Sequence, residues 1–312
     1  MTASQRELGR TKLRVSPIGL GTAEIGFVYG LKNTQLPSEE DAVRLLQEAV
    51  NCGITFFDTA HIYGLSEERI ARSGILKDDR IVVTTKCGHL MDKTDAFDPE
   101  AVVQDMRAEV EESLRRLEIE RIPLLQIHGA SAASIRKGFI QSMMRELQQE
   151  GKVQYVGISV RGEEAAMAAL EDGTFDALQL AHSILDQRMA GRVFSEAKRQ
   201  NVGIINRSVL LKGVLTGNPQ ELPEGLSALR ENSGRALAIS KAAGMDLPTL
   251  SIRFALSNPA VDTVLVGSSK IRNVESAVAA AALGPLPDDI LLALRELAIA
   301  DPRVVDPSLW RY

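Results

Sequence analysis

The stretch Ile54-Thr55-Phe56-Phe57-Asp58-Thr59-Ala60-His61-Ile62-Tyr63-Gly64 begins as a short apolar run and ends abruptly on a carboxylate, then a tyrosine. A run of that length bounded by polar residues reads as a buried strand. Upstream, Ser38-Glu39-Glu40-Asp41 has the composition of a helix start, Ala42, Leu45, Leu46, Ala49 and Val50 make one apolar face, and Gly53 suits the stop. Downstream the same phrase returns. Ile81-Val82-Val83-Thr84 leads to Thr85-Lys86, Asp98-Pro99 opens a helix with apolar Val102, Met106, Val110, Leu114 and Leu117, and Pro123-Leu124-Leu125-Gln126-Ile127 leads to His128. Each strand therefore closes on a residue able to move or hold a proton.

The alternation continues to the end of the chain. A helix is predicted over 133–150, stopped by Gly151, then the strand Tyr155-Val156-Gly157-Ile158; a helix over 163–171 precedes Asp176-Ala177-Leu178-Gln179-Leu180, and one over 188–200 precedes Gly203-Ile204-Ile205-Asn206. Helices near 234–243 and 247–257 lead to Thr263-Val264-Leu265-Val266 and a last helical region. With residues 15–21 as the first, eight strands alternate with helices, the pattern of an α/β protein closed into a parallel (β/α)8 TIM barrel. A doubly wound open sheet is the competing architecture, but no Gly-x-Gly-x-x-Gly follows the first strand. No linker or composition shift divides the chain, so residues 1–312 read as one barrel domain. The long connections, 22–37, 87–97 and 208–231, all follow strands, and the exit face of the strands is where a barrel carries its chemistry.

Composition removes several classes of function. The chain has 312 residues, 45% apolar, 25% charged and 4% aromatic, as in a globular enzyme. No apolar run is long enough to span a bilayer, and Met1-Thr2-Ala3-Ser4-Gln5-Arg6 has no apolar signal core, which points to a cytoplasmic protein without a membrane partner. Cys52 and Cys87 form no Cys-x-x-Cys pair and the four histidines have no zinc spacing, so no metal is expected. The net charge of −5 is dispersed, which argues against nucleic acid. Oligomeric state is left open by these features.

Asp58, Lys86 and His128 close three successive strands and so face one sector of the barrel mouth, with Tyr63 five residues beyond Asp58 on the adjoining loop. A tyrosine of ordinary pKa, about 10, is a poor acid towards a carbonyl, but an ammonium close by favours its phenolate. Asp58 would keep Lys86 charged and placed, and His128 would donate a hydrogen bond to the substrate oxygen. No strong nucleophile with its own base is present, so acyl transfer fits poorly. A structural ion pair is the plain alternative for Asp58 and Lys86; the desolvation of two charges at adjacent strand exits, several kcal/mol per ion, favours a functional reading. His61, His89 and His182 read as loop or pocket-wall residues and Cys87 as a packed thiol, while Tyr29 and Trp310 are candidates for lining the pocket, packing being the alternative for Trp310.

Asp58-Thr59-Ala60-x-x-Tyr63-Gly64 with Ser66-Glu67-Glu68, Thr85-Lys86 and His128 resembles the tetrad motifs of the aldo-keto reductase superfamily. Leu8-Gly9-Arg10-Thr11-x-Leu13-x-Val15-Ser16 and Gly19-Leu20-Gly21-Thr22 are similar to its opening. By that resemblance Tyr63 is the general acid, Lys86 and Asp58 tune it, His128 orients the substrate, and an extended NAD(P) lies across the barrel mouth. The resemblance places Thr22, Asp58, Ser159, Gln179, Arg207, Ser208, Leu210, Gly213, Gly267, Ser269, Lys270 and Arg272 against the cofactor: Ser159 and Gln179 at the carboxamide, Arg207 stacked on the nicotinamide, amides near Ser208, Leu210 and Gly213 at the pyrophosphate, and Gly267 to Arg272 at the adenosine end.

Four positions depart from the family pattern: Val160 replaces the usual Asn, Ser276-Ala277 replaces Glu-Asn, and Asn273 stands where a basic residue is common. Lys270 and Arg272 nevertheless favour NADP, with NAD as the alternative. Gly21-Thr22-Ala23, Tyr29-Gly30 and Arg207-Ser208-Val209-x-Leu211-x-Gly213 are similar to bacterial members of carbohydrate pathways, which implies a sugar-like carbonyl substrate. A nicotinamide-binding regulatory subunit with little turnover is the other function that the resemblance includes.

Overall fold

The computed structural model describes residues 4–28, 35–89, 91, 98–217 and 226–310. The chain opens with an antiparallel hairpin of β1 (Arg6–Glu7) and β2 (Arg14–Val15). Eight parallel strands follow: β3 (Ile18–Gly21), β4 (Phe56–Asp58), β5 (Val82–Cys87), β6 (Ile122–Ile127), β7 (Val153–Ser159), β8 (Ala177–Ala181), β9 (Gly203–Arg207) and β10 (Thr263–Gly267). They pair in chain order and close, β10 against β3, into a (β/α)8 barrel with helices between successive strands.

Period-two alternation sorts the strand residues. Phe56, Val82, Leu124, Ala177, Ile205 and Leu265 fill the inside of the barrel, where Leu8 and Val15 of the hairpin join them as a plug. Their neighbours Phe57, Val83, Leu125, Leu178, Ile204 and Val266 face the helices. One step further along each strand returns to the inside, at the exit end. There the sequence places Asp58, Thr84 and Lys86, Gln126 and His128, Gln179, Arg207 and Gly267.

Helix boundaries follow local chemistry. Ser38 caps Glu39–Asn51 by accepting from the Asp41 amide, and Asp98 caps Pro99–Leu117 by accepting from the Glu100 amide. The expected helix over 133–150 is instead two, Ala132–Arg136 and Phe139–Gln149, because Gly138 sits between them at φ 80° and ends the first. The expected first strand over 15–21 is also divided. Pro17 has no N–H to give to a ladder, so Arg14–Val15 belongs to the hairpin and the barrel strand begins at Ile18, although the Pro17 carbonyl still accepts from the Val264 amide. The helix before β9 begins at Arg192 rather than near 188, since Arg188 is held in the loop by Asp186, and the helix expected near 234–243 runs over Ser227–Ala242. No helix among the described residues is long and apolar enough to cross a membrane, and no cluster of three or more His, Cys, Asp or Glu able to hold a metal occurs among them.

Candidate active site

Lys86, 1% exposed, is a fully buried charge at the barrel mouth. Its Nζ donates to Asp58 Oδ2 at 2.7 Å and to the Thr59 carbonyl at 2.8 Å. Burial pushes its pKa down, and the Asp58 carboxylate pulls it back up. The other Asp58 oxygen accepts from Gln179 Nε2 at 2.7 Å and Gln126 Nε2 at 3.3 Å, and Gln126 also donates to Thr84 Oγ1 at 2.8 Å. The carboxylate is thereby fixed from three strands.

Tyr63 is delivered by the loop after β4, which is fastened to β5 by the Thr59 amide donating to the Thr84 carbonyl and the His61 amide to the Lys86 carbonyl. The Tyr63 amide donates to Ala60 and its carbonyl accepts from Ser66, forming a tight turn. Lys86 Nζ lies 5.2 Å from the Tyr63 ring centroid, and the His128 ring meets Tyr63 edge-on at 5.6 Å and 79°. Asp58, Tyr63, Lys86 and His128 are therefore one cluster, as their spacing suggests. Desolvation, reinforced by Lys86 and by Arg161 and Arg207, pushes the His128 pKa down to about 2, so its imidazole is neutral at physiological pH. Its Nδ1 is buried and makes no hydrogen bond among the described residues.

The residues assigned to a cofactor ring this cluster. Thr22 is buried and its hydroxyl donates to the Asp58 carbonyl while accepting from Ser66 Oγ, so it ties β3 to β4. Ser159 is buried at the end of β7. Gln179 is committed to Asp58 through its amide nitrogen. Arg207, at the end of β9, donates to the Val160 carbonyl at 3.1 Å and towards Ser208 Oγ at 3.4 Å, and burial lowers its pKa. Beyond it, Ser208, Leu211 and Lys212 have positive φ, three of the five such non-glycine residues described, followed by Gly213 at 97°. Strained backbone of that density collects at ligand sites, although the Leu211 amide here donates to the Ser208 carbonyl and the Gly213 amide, expected at a pyrophosphate, donates to the Leu210 carbonyl. On the far side, β3 and β10 end in paired Gly21 and Gly267, which put no side chain of their own on the rim. A guanidinium plate, a strained amide-rich loop and a glycine rim suit a dinucleotide. Lys270 and Arg272 are exposed beside that rim.

Gln126 was not singled out by sequence reasoning, though an amide at an inward position of an apolar strand is the visible signal. Glu67 is the other: 1% exposed, it accepts from Thr85 Oγ1 at 2.6 Å and faces Arg116 at 3.7 Å, directly behind Lys86. Cys87 is buried and burial raises its thiol pKa, in keeping with a packed residue. Trp310 packs, with its indole N–H donating to the Val304 carbonyl, and Tyr29 lies outside the described residues.

Barrel topology gathers this cluster at the strand exits of a parallel (β/α)8 barrel. The Aldo/keto reductase family model matches residues 17–299, and the chain belongs to that family. It is 32% identical over 288 residues to L-galactose dehydrogenase of Arabidopsis thaliana, covering 88% of this chain and 87% of the relative. D-threo-aldose 1-dehydrogenase of a Pseudomonas species is 26% identical, with 86% of this chain and 90% of the relative covered. The holo form of aldo-keto reductase AKR11C1 from Bacillus halodurans superposes with a TM-score of 0.79 at 27% identity, covering 98% of this chain and 99% of that one. The chain is accordingly an oxidoreductase.

Proposed function

We propose that this chain interconverts a sugar-like carbonyl compound and its alcohol, with Tyr63 as the general acid and base. The observation that carries the reading is the buried Lys86–Asp58 pair at 2.7 Å, set beneath Tyr63 and beside a neutral His128. A bound nicotinamide dinucleotide supplies or accepts the hydride. Tyr63 gives its hydroxyl proton to the carbonyl oxygen in reduction and takes it back in oxidation. Lys86, held by Asp58 and the Thr59 carbonyl, places a positive charge where the phenolate forms. His128, uncharged, orients the substrate oxygen by a hydrogen bond without competing with Lys86 for the developing charge.

Arg207 and Ser159 would hold the nicotinamide end of the cofactor, the 208–213 loop its pyrophosphate, and Gly267 to Arg272 the adenosine end. Aldehyde sugars or their ring hemiacetals are the substrate class supported by the two sugar dehydrogenases among the relatives. Tyr63→Phe keeps the ring and removes the proton. Its kcat is expected to fall by at least about 100-fold, while titration with reduced nucleotide shows an affinity like that of the unaltered protein. Full turnover in that variant would sink the assignment.

A further inference from the structure

Where β3 and β10 close the barrel, Gly267 pairs with Gly21, and a Cβ on Gly21 would stand 3.7 Å from the Gly267 Cα. The turn that leaves β3, Ala23–Gly26, leans Glu24 across this gap. Its Oε2 accepts from the Ser269 amide at 3.1 Å, and its Oε1 lies 3.7 Å from where a Gly267 Cβ would be. A carboxylate thus occupies the main-chain donor at the head of the loop leading into the helix Ile271–Ala282. The neighbouring hydroxyl is also engaged: Ser268 Oγ accepts from the Lys270 amide at 3.0 Å and from Asn273 Nδ2 at 2.9 Å, and it donates to the Lys270 carbonyl at 3.2 Å. Lys270 and Arg272 remain at the exposed rim and form no ion pair among the described residues.

We propose that Glu24 sets the nucleotide preference, favouring a dinucleotide with a free adenosine ribose over one carrying a 2′-phosphate. The inference rests on the reading that Gly267 to Arg272 hold the adenosine end. A 2′-phosphate brought to this rim meets a like charge and competes with Glu24 for the Ser269 amide. A 2′,3′-diol instead donates to the carboxylate, the relation by which an acidic side chain selects the unphosphorylated nucleotide in other folds. The proposed preference runs opposite to the preference for NADP that Lys270 and Arg272 suggest in the sequence.

The test is calorimetric binding, without substrate, of NADH and NADPH to the unaltered chain, to Glu24→Gln and to Glu24→Ala, at low and high salt, with thermal melts to verify folding. The unaltered chain is expected to bind NADH more tightly, and both variants to narrow the ratio about tenfold, which is 1.4 kcal/mol, chiefly by gaining affinity for NADPH. Tighter binding of NADPH by the unaltered chain overturns the inference. So does an equal change in both affinities on substitution, which would make Glu24 a competitor for the pyrophosphate or a brace for the loop. Binding of neither nucleotide by any of the three overturns the cofactor reading itself, and this inference with it.

Discussion

His128 shows how one residue's surroundings decide its protonation. Desolvation and the nearby Lys86 cation hold its pKa at about 2, against an ordinary value of 6.5. The unfolded chain takes up a proton below about pH 6.5 while the folded chain does not. The stability contributed is complete above that pH and falls as pH drops towards 2, at up to about 1.4 kcal/mol per pH unit. His128→Gln removes the ionisation and is expected to flatten the dependence of denaturant stability on pH between 6 and 4 by about that slope. Asp58 and Lys86 illustrate a different point: either charge alone in this place would be an uncompensated buried ion, so the pair stands or falls together.

At the scale of elements, the loop that carries Tyr63 and the turn after β3 meet backbone to backbone. The Leu65 amide donates to the Gly26 carbonyl, a Cβ on Gly26 would fall 1.8 Å from the Tyr63 carbonyl oxygen, and one on Gly64, at φ 52°, would fall 2.4 Å from the Gly26 oxygen. No rotamer change relieves a clash with backbone, so the loop itself must yield. Gly26→Ala is expected to displace Tyr63 by an ångström or so and lower kcat about 100-fold. Steady-state kinetics beside far-ultraviolet circular dichroism would check this, since the secondary structure should be retained. The same turn carries Glu24, so one four-residue element adjoins both Tyr63 and the Ser269 amide.

Over the whole molecule, the ring of strands joins residues 18–21 to residues 263–267, so chain ends far apart in sequence are neighbours in the sheet. The Thr263 hydroxyl reinforces the seam by donating to the Ser16 carbonyl at 2.9 Å. The hairpin plugs the entrance end: Leu8 is fully buried against the inner cluster, on the side of the barrel opposite Tyr63. Leu8→Ala is expected to cost about 2–5 kcal/mol, seen as a lower melting temperature, with kcat/KM at a permissive temperature left intact. A plug that also shaped the site would change both.

Much of this was legible in the chain. The strand-and-helix rhythm, the glycine stops and the polar residue closing each strand carry the (β/α)8 barrel and bring Asp58, Tyr63, Lys86 and His128 together, because a fixed two-residue alternation and a fixed strand order leave those side chains little choice of place. Local exceptions at Pro17 and Gly138 came from single residues whose effect depends on how the surrounding chain turns. What the sequence could not supply were partnerships across long separations. Gln179 and Gln126 on Asp58 exist because β4, β6 and β8 share one barrel interior, Thr85 on Glu67 because the helix after β4 packs behind β5, and Glu24 on the Ser269 amide, 245 positions apart, because barrel closure lays β10 beside β3. Charges counted along the chain favour one nucleotide, and the carboxylate folded in beside them is the ground for proposing the other, since electrostatics follow distance in space and not position in sequence.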